Sequence, residues 1–309
     1  MRDDKPRVSI GLPVFNGENY LEEALDSILA QTYSDFELII SDNASTDRTE
    51  EICRAYAARD ERIRYFRNET NLGAAKNYNR VFELSSGEYF RWAAHDDLCA
   101  PEHLERCVEI LDREPDVVLC YPKTSIIDEH GEFVRNYFDD FNFRSLKPHE
   151  RFRDFFHATG LCNPVFGLIR ASILERTSLI GSYADSDRVL LGELVLFGQF
   201  YEVPEYLFFR REHPQTSVRV NPDLVERAAW FDPKRKGRIQ LPRWRWFFGY
   251  LLAIKRVRLS WYEKLLCYLQ MVKWVRRQWR KLRDDLMIAA KRILKGLPFN
   301  DPVGQDGKT

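Results

Sequence analysis

A chain of 309 residues, 44% hydrophobic and 14% aromatic, can bury a sizeable core in one large domain or two. The formal net charge of zero hides an asymmetry: residues 1–223 carry 26 Lys+Arg against 40 Asp+Glu, and residues 224–309 carry 21 against 7, so a body at −14 precedes a tail at +14. An acidic body repels a phosphate backbone and no nucleic-acid motif is present, which argues against nucleic acid as the partner; no apolar run reaches the length needed to span a bilayer, and the N-terminus shows no signal-peptide pattern.

Val8–Val14 reads as a buried strand, and Tyr20–Gln31 as a helix with Leu21, Leu25, Ile28 and Leu29 on one face. Phe36–Ser41 is a second strand and Thr46–Arg59 a second helix, with Asn43, Ser45 and Thr46 as cap candidates. Ile63–Phe66 with Ala74–Leu84, then Glu88–Ala94 with Pro101–Arg113, repeat the unit, and Val117–Tyr121 is a fifth strand. Repeated βα units predict an α/β fold with a mostly parallel sheet flanked by helices. Beyond residue 121 the pattern loosens. Ser125–Val134 reads as a hairpin turning near Gly131, and residues 135–157 as a loop and a short helix. Val165–Arg170 is a strand, Arg188–Phe197 a helix, and Gln199–Val203 and Tyr206–Arg211 short strands. The six cysteines form no Cys-x-x-Cys pair and read as buried thiols of a reducing compartment, placing the chain in the cytoplasm.

The pair Asp96-Asp97 ends an apolar strand. Two adjacent carboxylates there need a cation or strong donors, and a hard divalent ion is the usual solution. Ligands of open α/β sheets bind outside the carboxyl ends of strands, so the pair points to a metal-assisted site for a phosphate-bearing ligand; a helix cap ahead of Pro101 is the plainer alternative. The loop Ser41–Asp47 offers a carboxylate and amides for a base edge or a ribose. No glycine-rich dinucleotide or P-loop motif exists.

Leu12-Pro-Val-Phe-Asn-Gly17, Ser41-Asp-Asn-Ala-Ser-Thr-Asp47, Asn71-Leu-Gly-Ala-Ala-Lys-Asn77 and His95-Asp-Asp97, in this order and spacing, resemble the successive motifs of family 2 glycosyltransferases over about residues 6–215. The resemblance implies a GT-A fold and an inverting enzyme that moves a sugar from a nucleotide-sugar, with a leaning to UDP, onto a hydroxyl of a lipid-linked or polysaccharide acceptor. It implies that Pro13, Val14, Phe15 and Glu18 line the nucleotide pocket with Asn71, that Asp42 holds the uracil edge, and that Asp96 contacts the ribose or sugar. Asp97 would ligate Mn²⁺ or Mg²⁺ bridging the diphosphate, with His213 completing the metal shell. Lys76, Arg210 and Arg211 would add charge near the phosphates. Asp187 best matches the catalytic base at a helix entry, with Asp185 next; a cap and first-turn pair is the structural alternative. A sugar nucleotidyltransferase is disfavoured by the absence of a glycine-rich loop. A non-catalytic scaffold is disfavoured because the acidic positions are all present.

Residues 226–309 read as a helical tail beyond a catalytic domain at 1–225. Trp261, Leu265, Tyr268, Leu269, Val272, Val275 and Trp279 recur at helical spacing among Lys264, Lys273, Arg276, Arg277, Arg280 and Lys281. Such a basic amphipathic helix suits an anionic membrane surface, and a stripe packed on the catalytic domain or on a second subunit of a homo-oligomer is the alternative. Gln240-Leu-Pro-Arg-Trp244 fits the Gln-x-x-Arg-Trp signature of processive polysaccharide synthases, here in an aromatic and basic stretch where chance matches are frequent.

Overall fold

The computed structural model describes residues 5–216, 224–235 and 241–294. The elements follow in the order β1 (Val8–Val14), α1 (Leu21–Leu29), β2 (Phe36–Asp42), α2 (Thr49–Ala57), β3 (Ile63–Arg67), α3 (Ala74–Glu83), β4 (Tyr89–Trp92), β5 (Leu98–Cys99), α4 (His103–Arg113), β6 (Val117–Ile127) and β7 (Phe133–Tyr137). Then come α5 (Pro148–His157), a 3-10 turn at Asn163–Phe166, β8 (Leu168–Arg170), α6 (Ala171–Leu174), α7 (Ser186–Phe197) and β9 (Gln199–Arg211). The tail contributes α8 (Leu224–Phe231), α9 (Pro242–Arg256) and α10 (Trp261–Leu294).

One sheet organises the body, with strand order β3-β2-β1-β4-β8-β6-β9-β5 and β7 paired to β6. The half from β3 to β4 is wholly parallel, as the βα repeats require. Every residue of β1 and β2 is buried, as in strands covered on both faces, and the polar Ser9, Glu37, Ser41 and Asp42 are buried among the apolar residues. Antiparallel pairs enter beyond β4, through β8, β7 and β5.

The looser half differs in detail from the pattern reading. The short strand and hairpin arm expected after residue 117 are one strand of 11 residues. The two short strands expected after residue 199 are one strand, in which Val203 pairs with Pro122 and Tyr206 with Lys123, so Pro204 and Glu205 bulge from the ladder. Proline cannot donate to a ladder, and both prolines sit where the register slips. The strand expected at Val165–Arg170 begins as a 3-10 turn, with only Leu168–Arg170 paired.

The 225/226 boundary does not separate two cores. Phe152 and Phe155 of α5 and Leu190 and Leu194 of α7 share one apolar cluster with Tyr250, Ala253 and Ile254 of α9 and Cys267, Met271, Trp274 and Leu282 of α10. The tail is therefore a structural layer of the body. The outer face of α10 remains uncovered: Trp261 is 78% exposed and Trp279 58%, with Leu265, Tyr268, Leu269 and Val272 exposed between them.

Candidate active site

The strand ends of β1 and β4, the start of α3 and the end of β9 enclose a cleft of about 700 Å³. Its acidic wall is the bend between β4 and β5. The helix that follows starts only at His103, so neither aspartate caps it. The pairing of Leu98 with Phe209 and of Cys99 with Phe208 draws the bend against β9. There the Arg211 backbone N–H donates to Asp97 Oδ1 at 2.9 Å, and His213 Nε2 lies 3.0 Å from Asp96 Oδ2.

The two carboxylates differ by environment. Burial pushes Asp97 up to about 7, and the neighbouring Asp96 charge adds to the rise. Burial also opposes ionisation of Asp96, but the His95 and His213 rings outweigh it and hold Asp96 low, at about 2. An acidic pair in which burial and a like charge keep one member from ionising, despite Arg210 and Arg211 nearby, fits a divalent cation. No group of three or more His, Cys, Asp or Glu ligands forms among the described residues, so such an ion would rest on one or two carboxylates and on substrate phosphates. Asp97 is the protein ligand that fits. His213 already faces Asp96 through Nε2 and lies tilted against Tyr20, ring centroids 4.7 Å apart, which leaves the buried Nδ1, without a partner among the described residues, as its open nitrogen.

The adjacent arginines of β9 point to opposite sides, as strand alternation dictates. Arg211, expected near the phosphates, borders the cleft as Arg210 does. Its guanidinium is fully buried and engaged by protein: Nε donates to the Asp96 carbonyl at 2.9 Å, Nη1 to the Glu129 carbonyl at 3.2 Å and Nη2 to Glu23 Oε2 at 2.7 Å. Arg210 takes the other side. Its Nη1 donates to Asn163 Oδ1 at 2.6 Å, its side chain lines the cleft, and its charge acts on both Asp97 and Asp187.

Pro13, Val14, Phe15 and Asn71, the residues expected at a nucleotide pocket, line the cleft, with Phe15 half exposed. Asp42 does not line it. It is 0% exposed, with Oδ1 accepting from the Ser45 N–H at 2.8 Å and Oδ2 from the Tyr65 hydroxyl at 2.8 Å, so it braces the loop from beneath. Asn43, its neighbour, faces the cleft in its place, tied to Asn71 Oδ1 at 2.9 Å and to the Leu72 N–H at 2.8 Å. Glu18 lies outside the cleft lining and accepts the Arg48 N–H at 3.0 Å at the entry to α2; Lys76 is exposed on α3 and also outside the lining.

Asp187 sits in the first turn of α7, beyond Asp185, which ends the preceding loop in a left-handed conformation at φ 59°. Burial raises the Asp187 carboxyl above the usual range, and the nearby Asp185 charge raises it further. Asp187 is outside the cleft lining, but Tyr78, which lines the cleft, feels the charges of Asp96, Asp97 and Asp187 together, so Asp187 lies within electrostatic reach of it. Asp185 instead pairs with Arg227 of α8 at 3.3 Å.

Tyr78 and Trp230 are cleft residues that motif reading did not place there. Trp230 comes from α8, and Gly73 makes room for that segment: a Cβ at Gly73 would stand 2.6 Å from the Phe231 carbonyl oxygen and from Pro233. Of the Gln-x-x-Arg-Trp match, Gln240 lies outside the described residues. Arg243 and Trp244 join α9 to α10, through Asp285 at 2.8 Å and the Leu282 carbonyl at 3.0 Å, and do not line the cleft.

The family model for Glycosyl transferase family 2 matches residues 9–177, more than half of the chain. The chain belongs to this family. An uncharacterized glycosyltransferase of Rickettsia felis is 40% identical over 135 residues, 42% of this chain and 21% of its own length. Uncharacterized glycosyltransferase MJ1057 of Methanocaldococcus jannaschii is 32% identical over 147 residues, 47% of this chain and 51% of its own. The shared region thus spans about a fifth to a half of these relatives. In fold, the chain is similar to S. aureus TarS 1–349 solved with UDP (TM-score 0.62, 16% identity, 89% of this chain and 72% of that one). It is also similar to the mannosyltransferase PcManGT of Pyrobaculum calidifontis, solved with GDP-Man and Mn²⁺ (TM-score 0.51, 17% identity, 94% and 87%). The GT-A-type fold expected from the motifs is the fold observed.

Proposed function

We propose that this glycosyltransferase moves a sugar from a nucleotide-sugar, most readily a UDP-sugar, to a hydroxyl of a lipid-linked or polysaccharide acceptor, with inversion at the anomeric carbon. The observation that supports the reading is the cleft lined by Asp96, Asp97 and Arg210, with Asp187 outside that lining but within electrostatic reach of the cleft residues Tyr78 and Arg210. Structural neighbours solved with UDP, UDP-GlcNAc or GDP-Man with Mn²⁺ support a nucleotide-sugar donor.

In this reading Pro13, Val14, Phe15, Asn43 and Asn71 bind the nucleoside. Asp97 would hold Mn²⁺ or Mg²⁺, which when bound neutralises the charge of the departing diphosphate. His213 orients Asp96 toward the sugar, and Arg210 faces the phosphates from the opposite strand face to Arg211. Asp187 takes the proton from the acceptor hydroxyl as its oxygen attacks the anomeric carbon; the nucleoside diphosphate leaves from the other side. The raised pKa suits that task, because a base that binds its proton more firmly accepts one more readily.

The exposed apolar face of α10 and its flanking lysines and arginines support peripheral attachment to an anionic membrane at its cytoplasmic face, where a lipid-linked acceptor lies. No helix among the described residues is long and apolar enough to cross a membrane, so attachment would be at the surface. The deciding experiment is a panel of nucleotide-sugars scored for hydrolysis and transfer, with Mn²⁺ or with chelator. Release of a nucleoside diphosphate from one donor, lost in Asp97→Ala, is the expected result. Inertness toward every donor with and without metal would overturn the assignment.

A further inference from the structure

The loop that presents Asp187 is held from the tail. Leu179 and Asp185 both adopt left-handed backbone conformations, at φ 54° and 59°, which non-glycine residues keep only when their surroundings fix them. At the Leu179 end the backbone is held by Thr177 and by Asn79 of α3, and at the Asp185 end the holding groups come from α8 and α9. The indole N–H of Trp246 donates to the Ala184 carbonyl at 3.2 Å, and Arg227 Nη1 lies 3.3 Å from Asp185 Oδ1. One turn further along α9, Gly249 lets the helix close on α7, since a Cβ there would stand 2.7 Å from Val189. At the far end of α7 the fully buried Glu193 carboxylate pairs with Arg256 of α9 and accepts from Ser178. Ala184 and Asp185 just ahead of Asp187, and Val189 and Glu193 beyond it, thus meet groups outside residues 9–177, the span of the family match, while Arg188 donates to the Ala158 carbonyl within that span.

We propose that Trp246 and Arg227 are positioning residues for Asp187, so that the basic tail sets the geometry of the transfer step as well as adding bulk to the fold. This rests on Asp187 being the base. Ala184 is buried, and a buried carbonyl that loses its donor is costly, so the loop would shift to find another. A general base displaced by about 1 Å loses on the order of a hundredfold in rate, because proton transfer depends on alignment. The nucleotide end of the cleft is built from β1, β2 and α3 and is untouched by that shift.

Trp246→Phe keeps an aromatic ring in place and removes the N–H together with the five-membered part of the indole. The full-length variant is expected to bind nucleoside diphosphate as the wild type does, measured by calorimetry, and to keep the KM for donor, while kcat for transfer falls about tenfold to a hundredfold. Arg227→Gln is expected to act in the same direction. In Asp187→Asn the same Trp246→Phe change is expected to cost almost nothing further, because a missing base cannot be misplaced. Wild-type kcat in Trp246→Phe would overturn the proposal. So would loss of diphosphate binding in step with kcat, or an undiminished effect of Trp246→Phe in the Asp187→Asn background. Normal turnover by Asp187→Asn alone would instead overturn the base assignment on which the proposal stands.

Discussion

Asp97 combines burial with a like charge next door, and its proton reports the conflict. A carboxyl whose folded pKa lies above its unfolded one favours the folded state while protonated, and that contribution disappears as pH rises through about 7. In chelator at pH 8, Asp97→Asn is therefore expected to melt higher than the wild type, by about 2–4 °C for each ~1 kcal/mol of repulsion relieved. At pH 5 the gap is expected to shrink; equal melting curves at both pH values would contradict it. Asp187 follows the same electrostatics toward a catalytic end. Burial and the Asp185 charge raise it, so kcat is expected to fall, as pH drops, from a point above the ordinary carboxylate range. Asp185→Asn removes the like charge and is expected to move that acid limb to lower pH. Asp187→Asn is expected to bind donor normally and to transfer about 10²–10⁴-fold more slowly, the usual weight of a general base. A pH–rate profile and single-turnover kinetics check both.

On β9 a one-residue alternation separates a structural cation from a cleft-facing one. Arg211 has no exposed surface and ties the β4–β5 bend, the 128–129 turn and α1 to one guanidinium, which also lies 4.7 Å over the Tyr20 ring. Arg211→Met is expected to cost about 3 kcal/mol or more, since it leaves buried acceptors without a donor, and to show as a lowered denaturation midpoint. Arg210→Gln is expected to fold as the wild type and to lose about tenfold or more in nucleoside-diphosphate affinity, the worth of one charge-assisted hydrogen bond, with nucleoside affinity unchanged. Equal destabilisation by both substitutions would show that the two arginines share one structural role.

Across the whole molecule, the apolar core crosses the line at which the charge changes sign. Tyr250, Ile254, Met271 and Trp274 cover Phe152, Phe155 and Leu190. Cutting after about residue 235 is therefore expected to expose that face and give aggregation, read by light scattering. A stable, monodisperse truncated domain would contradict the shared core. The opposite face of α10 supports the membrane proposal. The full chain is expected to sediment with anionic vesicles and to release in part as salt rises, because screening weakens the basic contribution, roughly 1 kcal/mol per residue near the surface, and leaves the apolar one. Salt-independent failure to bind would leave the exposed stripe to a partner subunit.

The parallel half of the sheet was determined by local pattern: buried apolar strands alternating with amphipathic helices over residues 8–113 leave few other topologies, and the four ordered motifs fix the family and the strand ends that carry Asp96-Asp97. The lengths of β6 and β9 were not legible, because Pro122 and Pro204 look like breaks until the register shows Pro122 still paired and Pro204 in a bulge. Three further points were decided only by tertiary structure. Asp42 is buried beneath Asn43 because Tyr65 and Arg67 reach it from β3, a contact across the sheet. Arg211 and Arg210 divide their roles because the strand places them on opposite faces, and only the partners on each face say which is which. The aromatic helix α10 has two apolar faces, and helical spacing alone could not tell the one that packs on the body, with Cys267, Met271 and Trp274, from the one that stays open, with Trp261 and Trp279. Periodicity records which residues share a face; what covers that face is set by residues far away in the chain.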